Sequence, residues 1–170
     1  MSDTPVTVAL KRAAAEDLSF VMATERLPEH ESLIGRWSAE RHMAAMASDD
    51  FAYLIAFASG APVGFAILRE LTDPHGNIGL QRIAMVAPGR GFGRAFLDQL
   101  LDWVFAETSC HRLCLEVFTA NARARHVYAS LGFVEEGILR EVVRRGDDTR
   151  VDQALMSILR PEWQARRSAG

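Results

Sequence analysis

The stretch from Leu80 to Phe133 constrains this chain most. An apolar strand pattern there runs straight into a glycine-rich turn and then into a long amphipathic helix. Ile83-Ala84-Met85-Val86 is followed by Pro88-Gly89-Arg90-Gly91-Phe92-Gly93-Arg94-Ala95. Glycine lets the backbone turn tightly and come close to a ligand. The first turn of the helix offers unpaired N–H groups and the positive end of its dipole, which together attract an anion. Arg90 and Arg94 add side-chain charge at the same place. The pattern predicts a phosphate-bearing ligand whose tail lies along the strand before the turn.

Two nucleotide motifs fail here. A P-loop needs Gly-Lys-Ser or Gly-Lys-Thr, which is absent. A dinucleotide fingerprint needs a third glycine where Arg94 stands, and an acid about twenty residues on, where Cys110 and His111 lie. Arg90-x-x-Gly93-x-Ala95 instead resembles the acyl-coenzyme A pyrophosphate loop of the GCN5-related N-acetyltransferases. A second segment strengthens the match. Asn121-x-x-Ala124-x-x-x-Tyr128-x-x-x-Gly132-Phe133 follows the strand pattern Leu113–Phe118. Ala124, Val127, Tyr128 and Leu131 form one helix face, and Gly132 sits where a helix C-terminal glycine belongs. Asn121 and Tyr128, seven residues apart, point the same way in a continuous helix. This block resembles the family's second signature, in order and at the usual distance. The segments Glu136–Glu141, Asp152–Leu159 and Pro161-Glu162-Trp163 resemble the branch containing the ribosomal-protein N-terminal acetyltransferases.

At 170 residues the chain suffices for one domain with a full core, expected over residues 5–163, with 164–170 a disordered tail. Hydrophobic residues make up 49% and charged ones 24%, ordinary for a globular protein. No apolar run reaches the roughly 20 residues that span a bilayer. Met1–Pro5 lacks the basic and apolar regions of a signal peptide, so a cytoplasmic location is expected. Cys110 and Cys114 do not form a C-x-x-C pair, and the five histidines show no ligand spacing, so no metal is expected. The net charge of −3 hides an asymmetry: residues 1–80 hold 11 acids and 6 bases, residues 81–170 hold 11 acids and 13 bases. The acidic half suits a cationic amine, or is simply a solvated face. Nothing resembles a nucleic-acid footprint.

Periodicity and turn signals predict strands at Val6–Arg12, Phe51–Ala58, Pro62–Leu71, Ile78–Val86, Arg112–Phe118, Ile138–Arg144 and Val151–Leu159. Helices are predicted at Glu16–Arg26, from Ser38, at Gly91–Glu107 and at Asn121–Leu131. The order β-αα-βββ-α-β-α-ββ describes a mixed α/β fold. The resemblance implies its GNAT form: a mostly antiparallel central sheet with helices on both faces.

The resemblance also implies the chemistry. Acetyl-CoA is the co-substrate, bound by Arg90, Gly91, Phe92, Gly93, Arg94 and Ala95, with backbone groups of Met85 and Val86 meeting the pantetheine amides. Asn121 either bonds the pantetheine arm or caps its helix. Arg123 and Arg125 are within reach of the adenosine phosphates or merely solvated. Tyr128 hydrogen-bonds the coenzyme sulfur, the alternative being a core aromatic. Glu116, the one carboxylate in its strand, is the candidate base, since burial would raise its pKa, or it pairs structurally with an arginine. Freeing an α-amine at pH 7 costs about 1.4 kcal/mol and a lysine-like amine about 4.6 kcal/mol, so the latter needs a base more. Glu29, Glu31, Trp37, Glu70 and Arg140 are substrate contacts by position alone. The expected activity is acetyl transfer to a primary amine, of a protein N-terminus or a small molecule, by direct attack in a ternary complex. The alternatives are acetylation of an amino acid, polyamine or aminoglycoside, and a non-catalytic coenzyme A-binding regulatory module. No membrane or nucleic-acid partner is expected, and a homodimer is admitted.

Overall fold

The computed structural model describes residues 7–169. Its elements in order are β1 (Ala9–Arg12), α1 (Leu18–Glu25), α2 (Ala39–Met46), β2 (Phe51–Ala58), β3 (Ala61–Arg69), β4 (Asn77–Met85), α3 (Phe92–Glu107), β5 (Arg112–Phe118), α4 (Ala122–Ser130), β6 (Val134–Arg144), β7 (Arg150–Leu159) and α5 (Arg160–Ser168). Short 3₁₀ turns at Ala15–Asp17 and Pro28–His30 flank α1. The expected start of the first strand, Val6, and residues 1–5 lie outside the described residues.

Seven strands form one sheet in the order β1-β2-β3-β4-β5-β7-β6. Every neighbouring pair is antiparallel except β4 with β5. This is the mixed, mostly antiparallel sheet expected. Helices cover both faces. Phe96, Leu100 and Val104 of α3 and Tyr128 of α4 pack with Leu54, Leu80, Leu115 and Ile158 on one side. Val21 of α1 and Ala45 of α2 pack with Tyr53, Ile55, Phe65 and Ala84 on the other. Ser59 and Gly60, both at positive φ (50° and 79°), close the β2–β3 hairpin, because a two-residue turn of that hand matches the strand twist.

An irregularity in β4 sets which side chains reach which face. Ile67 pairs with Arg82, but Leu68 pairs with Leu80, so Gln81 is an extra residue. The bulge turns Arg82 to the α1–α2 face, where Glu25 waits in a fully buried position. Glu25 Oε2 accepts from Arg82 at 3.0 Å, and Oε1 accepts from Arg26 at 2.8 Å and from the Trp37 N–H at 3.3 Å. His42 Nε2 is 3.3 Å from Glu25 Oε2, near but not aligned as a hydrogen bond. His42 Nδ1 and the Tyr53 hydroxyl are 2.9 Å apart. The Arg82 and Arg41 guanidiniums lie over the Trp37 ring at 4.4 and 4.1 Å.

The C-terminus corrects one expectation. Residues 164–168, expected to be disordered, belong to α5. Its Trp163 stacks on Phe105 at 5.2 Å and donates to Asp102 Oδ1 at 2.9 Å. Arg167 bonds the same oxygen at 2.6 Å. Asp98 and Asp102 on the polar side of α3 are therefore the dock for this helix. Arg160 donates to the carbonyls of Phe105, Thr108 and Cys110 at 2.6, 3.0 and 2.8 Å, closing the C-terminal end of α3. The final hairpin also differs: β6 begins at Val134, four residues before its expected start. As an edge strand exposed on both faces, it has no alternation to announce it.

Burial holds the His42 pKa below 6.5, and the nearby Arg82 and Arg26 charges act in the same direction against the pull of Glu25. The unfolded chain therefore binds this proton more readily. Its contribution to stability is present above about pH 6.5 and is lost as pH falls through the lower folded value, at up to about 1.4 kcal/mol per pH unit. Melting temperatures from pH 7.5 to 5.5 should fall more steeply for the wild type than for His42→Gln. Parallel curves would show that His42 is not responsible.

Candidate active site

The parallel β4–β5 pairing lasts only from Asn77–Arg112 to Leu80–Leu115. Beyond it the strands part. β4 continues to Met85 beside β3, and β5 continues to Phe118 beside β7. Val86 donates its N–H to Val63 O at 2.8 Å, so 63 and 86 are a hydrogen-bonded pair. Met85, opposite Gly64, is then a non-hydrogen-bonded position whose N–H and C=O turn away from β3 and into the gap. Of the two backbone positions expected to meet a pantetheine arm, Met85 is turned to the gap, whereas the Val86 N–H is engaged by β3. The antiparallel ladder decides this, and the sequence does not show its phase. His30, buried under the α1–α2 connection, holds the Met85 carbonyl at 2.8 Å through Nε2. A carbonyl only accepts, so Nε2 carries the proton.

The glycine-rich turn sits at the open end of this gap. Gly89 and Gly91 have φ of 93° and 79°, which L side chains rarely adopt. Gly91 is the N-cap of α3, and no side chain caps that helix, so its first-turn N–H groups face outward unclaimed. Arg123 of α4 comes to the turn: its guanidinium lies 3.6 Å from where a Cβ on Gly89 would be. Arg90 and Arg123 make no ion pair among the described residues. Arg94 bonds the Ser130 hydroxyl of α4 instead. Arg125 is also spent elsewhere, on Glu135 at 2.7 Å and the Thr119 carbonyl at 3.0 Å. The turn thus offers backbone donors, a helix N-terminus and two uncommitted guanidiniums, which suit a pyrophosphate.

Tyr128 is buried on the inner face of α4, edge-on to Phe133. Burial pushes its phenol up to about 12. No group among the described residues hydrogen-bonds its hydroxyl, unlike the satisfied hydroxyl of an ordinary core tyrosine. Asn121 is the N-cap of α4, and its Oδ1 accepts from Ala124 N–H at 3.1 Å. Its side chain folds back onto the helix rather than projecting beside Tyr128, because the cap residue lies outside the helical turn. Glu116 contradicts the expectation of burial: its side chain is 40% exposed and lies 3.9 Å from Arg69. On β5 only Leu113, Leu115 and Val117 are buried; the other face stays open, with Arg112, Cys114 and Phe118 half-buried. Arg69 also pairs with Glu70 at 2.8 Å.

The remaining position-based contacts divide. Glu29, Glu31 and Arg140 are exposed. Trp37 is buried against Arg82 and is not free for a ligand. Sequence reasoning missed His30 and the Glu25–Arg82–His42 group. One signal was present: Arg82 is the only charge in the β4 pattern, and a buried charge needs a partner. Nothing in the sequence points to Glu25, fifty-seven residues away, as that partner. Among the described residues no group of three or more His, Cys, Asp or Glu gathers to hold a metal, and no helix is long and apolar enough to cross a membrane.

Known proteins resemble this chain in sequence and in fold. A spermidine N(1)-acetyltransferase from Vibrio cholerae is 37% identical over 82 residues, 46% of each chain, so the matched part spans about half of that relative. An uncharacterised N-acetyltransferase from Methanocaldococcus jannaschii is 28% identical over 144 residues, covering 82% of this chain and 86% of that one. Among solved structures, a spermidine N-acetyltransferase from Vibrio cholerae in complex with CoA and spermine superimposes with a TM-score of 0.82 at 23% identity, over 93% of this chain and 98% of the other. The relatives of named substrate act on spermidine, and the ribosomal-protein branch that the C-terminal segments resemble is not supported by them. The acetyltransferase (GNAT) family profile matches residues 13–133, and the chain belongs to this family.

Proposed function

We propose that this protein transfers the acetyl group of acetyl-CoA to the primary amine of a small molecule, in the class that includes polyamines and amino acids. The observation that carries it is the gap between β4 and β5, with the uncapped α3 N-terminus at its mouth and an unpartnered Tyr128 hydroxyl on α4 beside it. Relatives that act on spermidine favour a small-molecule amine over a protein N-terminus. In the proposed reaction the amine nitrogen attacks the thioester carbonyl carbon, the N–C bond forms and the C–S bond breaks. Sulfur leaves as the thiolate, and the nitrogen gives up its proton.

Tyr128 supports the departing sulfur by donating a hydrogen bond. Full proton transfer from a phenol at about 12 to a thiolate near 8.5 would cost about 5 kcal/mol, so stabilisation of developing charge is the better role. Glu116, the first β5 residue beyond the split, attracts the ammonium form of the acceptor and takes its proton. Its exposure gives it access to solvent as a proton outlet.

Tyr128→Phe should lower kcat by roughly 10²- to 10³-fold while coenzyme affinity and melting temperature stay close to wild type, since the hydroxyl has no protein partner to lose. Single-turnover rates equal to wild type would remove Tyr128 from the chemistry. Gly93→Glu tests the coenzyme site. A Cβ there meets only Met85 Cγ, at an ordinary 3.8 Å, so the fold should hold. The new carboxylate would face the pyrophosphate, and coenzyme affinity should fall at least about tenfold by calorimetry. Unchanged affinity in the folded variant would move the site elsewhere. Glu116→Gln should lose most activity below the pKa of the acceptor amine and recover as pH rises, with little change in stability because exposed ion pairs contribute only about 0–1 kcal/mol. A pH-independent loss would make Glu116 a structural partner of Arg69.

A further inference from the structure

A cavity of about 310 Å³ opens at the end of β5, walled by Phe118, Thr119, Glu141, Arg145, Arg150 and Asp152. It lies at the same end of the sheet as the β4–β5 gap. Glu116 and Phe118 share a face of β5, so the cavity begins about 7 Å from the point where the strands part. Its charges are of both signs and largely uncommitted. The Glu141 carboxylate has no hydrogen bond or ion pair among the described residues. The Arg145 guanidinium lies over the Phe118 ring, 5.7 Å from its centre, and makes no hydrogen bond or salt bridge among the described residues, although its charge reaches Asp147. Asp152 Oδ1 accepts the Glu141 N–H at 2.7 Å, and its other oxygen has no hydrogen bond among the described residues. Arg150 gives one N–H to the Glu141 carbonyl at 3.2 Å and keeps its others.

The local backbone is built for this arrangement. The β6–β7 ladder breaks between Leu139 and Val143, and Glu141 sits inside the break at φ 51°. A non-glycine residue in the left-handed region costs energy that the surroundings must offset, and such residues cluster at binding sites. The break aims Glu141 into the cavity, where regular pairing would have kept it on the β6 ladder. Two acids and two arginines around one aromatic wall do not suit a polycation, which the guanidiniums would repel. They suit a group carrying an ammonium and a carboxylate together.

We propose that this cavity binds the α-ammonium and α-carboxylate of a free diamino acid, so that its aliphatic chain carries the terminal amine to the thioester. Arg145 and Arg150 would take the carboxylate, and Glu141 and Asp152 the ammonium. The aliphatic primary amine is the chemistry shared with spermidine; the distal carboxylate sets this acceptor apart. The assignment rests on the acetyl-transfer function proposed above and names its substrate class.

Lysine and ornithine should be compared with cadaverine and putrescine, which are the same chains without the carboxylate, and with spermidine. Thiol release from acetyl-CoA should show kcat/KM for the diamino acids roughly ten- to a hundredfold above that for the matching diamines, with acetyl found on the side-chain nitrogen. Arg145→Ala should bring that ratio close to one, and Arg145→Lys should retain part of it. The residue is exposed, so an unchanged melting temperature is expected for both variants. Calorimetry of lysine and cadaverine with the coenzyme A-loaded protein gives a readout independent of turnover. If amines are acetylated with no preference for the carboxylate, or Arg145→Ala leaves the preference intact, the subsite is refuted and acetyl transfer stands. If lysine binds through Arg145 but no amine releases thiol, acetyl transfer falls and the subsite stands.

Discussion

Two neighbouring strands that pair over only four residues organise this molecule. Beyond Leu80 and Leu115 the two strands part, and each continues beside its antiparallel neighbour on the outer side, β3 for one and β7 for the other. The split leaves the Met85 N–H without a strand to bond, while the Met85 carbonyl is held by His30. Backbone polar groups inside a protein need partners, so a ligand able to act as a short strand is the natural complement. The glycine-rich turn stands where β4 ends, and α3 starts there with its N–H groups uncapped. An elongated molecule with amide groups along its length and a charged phosphate end matches both features at once.

The opposite face of β4 is held by a different kind of interaction. The bulge at Gln81 places Arg82 against a fully buried Glu25, and that carboxylate gathers Arg26, the Trp37 backbone and His42. Removing one member of such a group leaves a buried charge unpaired, at a cost of about 3–5 kcal/mol. The same segment carries His30 to the Met85 carbonyl. The α1–α2 cover and β4 are therefore coupled from both sides: one contact is ionic and buried, and the other is a single hydrogen bond at the gap. Rearranging the cover would disturb the peptide that the coenzyme arm would meet.

Much of this architecture was legible in the residues. Strands at Phe51–Ala58 and Arg112–Phe118 match the expected bounds, and Ser38 caps α2 through its hydroxyl, accepting from Arg41 N–H at 3.2 Å. These segments combine strong alternation or a cap with clear turn residues, so local signals agree with the tertiary environment. The failures have a common form. Glu116 stands in a strand that reads as apolar, and burial was inferred from its neighbours; the side chain points to the face the helices leave open. Residues 164–168 read as a polar tail, yet Trp163 and Arg167 find Phe105, Asp98 and Asp102 on a helix some sixty residues earlier. Asn121, read either as a pantetheine contact aligned with Tyr128 or as a helix cap, is the cap.

The sequence by itself determined the element order as far as β7, the family, the glycine turn that opens α3, and the face of α4 that carries Tyr128. Those properties depend on spacing along a single segment, where the helix and strand periods dictate which side chains share a side. Only the tertiary structure decided which backbone groups of Met85 and Val86 turn toward the gap, which arginines remain available to an anion, whether Glu116 is buried, and what Arg82 neutralises. Each of those outcomes depends on ladder phase, on a one-residue bulge, or on a partner tens of residues away. A one-residue change of register reverses every side chain on a strand without altering its hydrophobic pattern, so no local reading can choose between the two.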